Sequence, residues 1–312
     1  MHKHKKLKPN NILLMFIISF TLISIIFLHI NDVNNKSKLP PPAISVSNNV
    51  NKNPTHGINI HLKEHDINTD SYNNPKEHNS EKPPINNGKN GFDASIIQDF
   101  LLKNKIKSDG KKIAFLTFDD GPSLEVTPKI LKTLNEHNIK ATFFIVGNQL
   151  DKHPESKKLL MDEYMQGNSI ANHTYSHNPD KLYPKKDVDA KFFMEDLEKN
   201  NTVLKNVLGD NFHTRVIRFP GGHRTWNKTA EVDHILKKQG YVFLDWNNMT
   251  SDAEGNPKTK QELIDGYKHT FKGQDKLVIL MHDSEDKSTT ADALPDIIND
   301  LKSKGYEFET LT

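Results

Sequence analysis

The chain has 312 residues, no cysteine, 42 basic against 40 acidic side chains, and a formal charge of +2 at pH 7. The lack of thiols excludes disulfides, cysteine-ligated metals and thiol redox chemistry, and so small a charge gives no footing for nucleic-acid binding. Composition is uneven along the chain, so length alone overstates the number of folded domains.

Residues 1–11 carry Lys3, Lys5, Lys6 and Lys8 and no acid, and Ile12 to Ile30 then runs nineteen residues without a charge. A helix of that length spans about 28 Å, close to the hydrocarbon thickness of a bilayer. The exit, Leu28-His29-Ile30-Asn31-Asp32-Val33, has no small-residue cleavage pattern, so residues 12–30 are expected to be an uncleaved signal anchor. The flanking lysines then stay cytoplasmic. That makes the chain a single-pass protein of the cell membrane with its remainder outside. Residues 31–90 include fifteen Asn and seven Pro, with Tyr72 the only aromatic. So little apolar surface predicts a disordered linker, its ends roughly 45 Å apart. Within 91–110, Ala94 to Lys103 reads as a short helix on the edge of the folded domain.

From 111 to 312 strand-like and helix-like stretches alternate. Strands are expected at Ile113–Phe118, Ala141–Val146, Ser169–Asn172, Val216–Phe219, Tyr241–Leu244, Leu277–Met281 and Tyr306–Leu311. Helices are expected at Val126–His137, with Thr127 and Pro128 as cap and first turn, and at Lys157–Met165, Val188–Leu208, Ala230–Gln239, Lys260–Phe271 and Leu294–Lys304. Alternation of this kind specifies an α/β fold with a parallel sheet, open or closed into a barrel.

The chemistry gathers at strand ends. Ile113 to Phe118 is an apolar run that ends on Asp119-Asp120 and is stopped by Gly121-Pro122, which puts two carboxylates at the mouth of a core. Adjacent residues there point different ways, so one carboxylate can serve a metal and the other a proton. His173 and His177 are spaced i,i+4 and can converge on one metal if the segment is helical or tightly coiled. His61 and His65 share that spacing but lie in the polar linker, where they read as solvated.

Thr117-Phe118-Asp119-Asp120-Gly121-Pro122, His173-Thr174-Tyr175-Ser176-His177, Arg218-Phe219-Pro220-Gly221-Gly222, Asp245-Trp246-Asn247 and Leu280-Met281-His282-Asp283 follow one another in that order. In this the chain resembles the polysaccharide deacetylase family, also called the NodB-homology domain or carbohydrate esterase family four, over roughly two thirds of its length. The resemblance implies a distorted (β/α) barrel with fewer than eight complete units. It also implies that Asp120, His173 and His177 ligate one divalent ion, with zinc the best suited and cobalt or another divalent ion an alternative.

By the same resemblance Asp119 is the general base. Arg218 holds it in a two-pronged contact that favours the ionised form. Gly221, where the family commonly has tyrosine, offers its N–H to the oxyanion. His282 is the general acid, and Leu280 lines the acetyl pocket. Trp246 either stacks on a sugar or packs in the core. The fourth motif departs from the pattern: Met249 stands where many members have an aspartate that tunes the acid, and Ala253 replaces an aromatic. Asp252 or Asp283 are the available substitutes, and without an aspartate at 249 the acid is expected to be less basic.

The function implied is removal of N-acetyl groups from N-acetylglucosamine units of a wall or surface polysaccharide, most simply peptidoglycan given the anchor and stalk. The rivals are an O-acetyl esterase acting on xylan or another acetylated glycan, and a silent surface-anchored glycan-binding module. Nothing in the sequence calls for an obligate protein partner.

Overall fold

A computed structural model of the chain describes residues 91–103 and 109–312. The expected span and linker lie outside them; among the described residues no helix is long and apolar enough to cross a membrane. Eight strands form one parallel sheet: β1 (Ile113–Asp119), β2 (Thr142–Ile145), β3 (Ser169–Asn172), β4 (Val216–Ile217), β5 (Val242–Phe243), β6 (Asn248–Met249), β7 (Lys276–His282) and β8 (Glu307–Phe308). Their spatial order is β5-β4-β3-β2-β1-β7-β6, and β8 joins the start of β1. Apart from β8, which joins β1 rather than β7, sequence neighbours are spatial neighbours as in a barrel, but no pairing among the described residues joins β5 to β6. The choice between open sheet and barrel resolves into a barrel with one unzipped seam.

Strand β1 is the hub. All seven of its residues are buried, and it pairs with β2, β7 and β8. Side chains alternate across a strand, and here the two faces serve different cores. Ala114, Leu116 and Phe118 face outward into a cluster with the surrounding helices, among them Leu134, Leu263 and Ile297. Ile113 and Phe115 face inward and meet Val216, Val242 and Val278 in the barrel interior. Continuing the inward row puts Thr117 and then Asp119 at the upper end. On β7 the same count gives Val278, Leu280 and His282.

The helices are α1 (Ala94–Lys103), α2 (Thr127–Glu136), α3 (Gly147–Lys152), α4 (Ser156–Met165), α5 (Pro179–Leu182), α6 (Ala190–Leu208), α7 (Ala230–Lys238), α8 (Lys260–Thr270) and α9 (Ser288–Ser303). Ala94 and Ile97 of α1 belong to the interior cluster, and Gln98 Nε2 donates to Phe243 O of β5 at 2.9 Å. The helix therefore dresses the free edge of β5. Helix α6 starts at Asp189, whose carboxylate accepts the Phe192 N–H, and α8 starts at a Thr259/Glu262 capping box.

Two expectations are corrected. Thr127 does not cap α2: the cap position is Val126, without a side-chain bond. The Thr127 hydroxyl instead accepts the Ser123 N–H at 2.8 Å and donates to Asp283 at 2.5 Å. Helix α9 begins at Ser288 rather than Leu294, because its first turn is polar and Pro295 lies inside it. The segments α3, α5 and β6 are too short for a periodic signal.

Candidate active site

All the singled-out side chains gather at the carboxyl ends of the strands, around a cavity of about 320 Å³ lined by Asp119, Asp120, His173, His177, Gly221, Trp246, Met249, Asp252, Leu280 and His282, among others. Asp119 ends β1 and His282 ends β7, and the two are direct register partners.

Asp120 follows at φ 77°, and His173 to His177 is a tight coil rather than a helix, with Thr174 at φ 66° and His177 at φ 46°. Left-handed backbone of this kind is uncommon outside glycine and collects at functional sites. It brings His177 Nε2 to 3.2 Å and His173 Nε2 to 3.6 Å from Asp120 Oδ1. One ligand atom from each of the three lies within 4.8 Å of the others. Asp120 Oδ1 is buried and makes no hydrogen bond. His173 Nδ1 donates to Arg218 O at 2.8 Å, which leaves Nε2 as the bare nitrogen. Burial, aided by the neighbouring His177, lowers His173 to about 3, so it is the neutral imidazole that a metal requires. Two bare nitrogens and an orphaned carboxylate oxygen fit a single divalent cation.

Asp119 is 2% exposed. Its Oδ1 accepts from Arg218 Nη1 at 2.7 Å, and its Oδ2 faces His173 Nε2 at 3.6 Å. The expected two-pronged contact is absent. Arg218 spreads its other donors to Leu244 O at 2.9 Å and Asp245 O at 3.5 Å, and its Nη1 also reaches Thr117 Oγ1. Its guanidinium lies 4.0 Å from the centre of the Phe144 ring, so it is clamped within the barrel. Burial pushes Asp119 above the usual carboxylate range, and the charge and hydrogen bond of Arg218 offset only part of this.

The partner of His282 is Asp252. Asp252 Oδ1 accepts the His282 Nδ1–H at 2.8 Å, and Oδ2 accepts the His282 main-chain N–H at 2.8 Å. Asp283 points away, toward Thr127; burial lifts it to about 7, reinforced by the charges of Asp120 and Asp119. Met249 lines the cavity without replacing the tuning carboxylate. The premise of a less basic acid, that no carboxylate stands beside it, does not hold. Burial pulls His282 down, but the hydrogen bond and charge of Asp252, with Asp119 and Asp120 beyond, outweigh it and raise the imidazole to about 9. The signal for Asp252 in the sequence was only its nearness to the fourth motif.

Gly221 has φ 76°, and a β-carbon there would stand 3.2 Å from Trp226. A β-carbon on Gly222 would meet the Trp246 ring at 2.8 Å, so the backbone here runs directly against the ring. Asp245 accepts the His223 N–H at 2.8 Å and pins this loop. Trp246 serves both of its readings: it lines the cavity and packs on the interior cluster. Leu280 is 8% exposed and also faces the cavity.

A carboxylate and an imidazole on adjacent strands, beside a set of candidate metal ligands, supply the base, acid and cation site that hydrolysis can use. The model of the family described as polysaccharide deacetylase matches residues 106–244. A peptidoglycan-N-acetylglucosamine deacetylase of Bacillus cereus is 34% identical over 201 residues, 63% of this chain and 66% of that one. A second from the same organism is 31% identical over 207 residues, 64% of this chain and 69% of its own. Among solved structures, a CE4 esterase of Streptococcus mutans superposes with TM-score 0.65 at 32% identity, covering 72% of this chain and 92% of that one. The chain belongs to the polysaccharide deacetylase family and is a deacetylase of the hydrolase class. The matched residues of the family model end at Leu244, so Asp252 and His282 rest on the geometry described above.

Proposed function

We propose that the chain is a divalent-metal-dependent N-deacetylase that acts on N-acetylglucosamine units of peptidoglycan. It works outside the cell and is held to the membrane by residues 12–30. The observation that carries the reading is the lateral register of Asp119 and His282 on β1 and β7, with the Asp120, His173 and His177 cage facing the same cavity. Hydrolysis of an acetamide needs a base for water, stabilisation of the oxyanion and a proton for the departing amine. The cage residues would hold a divalent ion, best zinc, whose chemistry is to acidify water and polarise a carbonyl. Asp119 Oδ2 takes the proton from the attacking water while Arg218 fixes Oδ1. The Gly221 N–H donates to the oxyanion. His282 Nε2 gives its proton to the amine, and Asp252 holds Nδ1 and supports the positive charge. Leu280 and Trp246 enclose the acetyl group and the sugar face.

The similarity to two peptidoglycan-N-acetylglucosamine deacetylases supports this substrate class, and the uncharged run at 12–30 supports the anchor. Mass spectrometry of chitotetraose and of purified peptidoglycan, each incubated with residues 91–312 and zinc, tests the reading. Loss of acetyl from glucosamine in either substrate is expected. Acetate released only from acetylated xylan would turn the assignment to an O-acetyl esterase.

A further inference from the structure

We propose that Thr290, at the start of helix α9, is a positioning residue for the acid: its hydroxyl fixes the orientation of Asp252, and through it the proton-donating imidazole of His282. The inference rests on the acid role given to His282 above.

Asp252 lies on an awkward foundation. It is buried, yet the five residues that follow, Ala253 to Pro257, are exposed, and Ser251 before it sits at φ 63°. A loop with so little packing does not hold a carboxylate in one orientation. Three hydrogen bonds do so instead. Two of them come from His282 itself, its main-chain N–H and its Nδ1–H. The main-chain N–H is fixed by the β1–β7 register and anchors Oδ2 from one side only, so a second reference on the same oxygen is what stops the carboxylate turning about that bond. The third bond is independent: Thr290 Oγ1 donates to Asp252 Oδ2 at 2.8 Å.

Thr290 is well placed to act as that reference. It is 1% exposed, its β-branched side chain has restricted rotamers, and the residues after it, Ala291, Ala293 and Leu294, are in the outer core. The hydroxyl thus ties the loop after β6 to a rigid helix, and fixes Oδ2 so that Oδ1 faces the ring. The charged groups facing His282 are Asp252 from that loop and Asp119 and Asp120 from the end of β1. Only Asp252 bonds the ring, so its orientation decides how well the imidazolium is held.

The test uses the full chain. Thr290→Val removes the hydroxyl and keeps the shape, Thr290→Ala removes it without a second branch, and Thr290→Ser restores it. The titration of the His282 ring is followed by NMR on metal-free protein, with the resonance assigned by its loss in His282→Gln. In both hydroxyl-free variants the midpoint should fall by about one pH unit, and in Thr290→Ser it should return. With zinc-loaded protein, kcat on chitotetraose should drop about tenfold at unchanged KM. That loss should vanish on an acetate ester whose leaving group needs no proton. A midpoint that stays or rises in Val and Ala alike would overturn the proposal, as would equal losses on amide and ester, since either marks Thr290 as packing alone. If the wild type releases no acetate from chitotetraose, the functional reading fails, while the NMR titration still decides whether Thr290 orients the pair.

Discussion

Replacing Asp252 by Asn removes the charge that supports His282 and keeps the size of the side chain. The imidazole stands at about 9 in the intact site, against an ordinary value of 6.5. That difference corresponds to about 3 kcal/mol of preference for the protonated ring. With the carboxylate neutralised, the ring returns toward 6.5. From these two values the protonated fraction falls by a factor of about 1.3 at pH 6, about 10 at pH 7.5 and about 75 at pH 8.5. A general acid works only in its protonated form, so the deficit in deacetylation of chitotetraose, as wild type over variant, should grow with pH from near parity to a large factor. A bound cation lowers both values together, which slides the curve to lower pH without changing its height. The assay is kcat/KM from pH 5.5 to 9 at saturating zinc. A deficit of the same size at every pH would refute the reasoning, because Asp252 would then hold the ring without tuning it.

The cage makes its own prediction: His177→Ala should purify without stoichiometric zinc by elemental analysis while its circular dichroism is unchanged, and full metal content would mean the ligands are misassigned. Asp119→Asn should keep its metal and lose about 10²–10⁴-fold in turnover. On an acetate ester with a good leaving group, His282→Ala should regain most of its rate whereas Asp119→Asn should not, and parallel losses on both substrates would remove the division of labour between them. Gly221→Ala forces an L-residue to φ 76° with its β-carbon against Trp226. This should cost about 1–2 kcal/mol, read as a fall in melting temperature of about 2–4 °C per kcal/mol; an unchanged melt would show that the loop relaxes freely.

What was legible in the sequence follows the physics of strands. An apolar run that ends in a polar residue before a turn can only put that residue at a strand tip, and so the places of Asp119 and His282 are legible in the sequence. The helix bounds followed wherever an apolar stripe or a cap marked them, as at Ala230 and Lys260. What remained hidden is set by contacts distant in sequence. The register that puts Asp119 beside His282 depends on pairing across more than 160 residues. Asp252 was one of two equal substitutes, because loop geometry rather than spacing turns it toward the ring. The single-pronged grip of Arg218 arises because carbonyls of residues 244 and 245 take its remaining donors. The net rise in Asp119 is a contest between burial and charge whose outcome needs the depth of the site.

The point where the chain enters the barrel has a consequence for access. Phe92 bridges to Leu311, and its N–H donates to Thr310 O at 2.7 Å. Just upstream of these residues, β8 is paired with Ile113 and Ala114 at the start of β1. Whatever precedes residue 91 therefore joins the barrel at its lower pole, opposite the cleft. A label or extension carried at that pole would leave the mouth of the cleft clear for a long polymer.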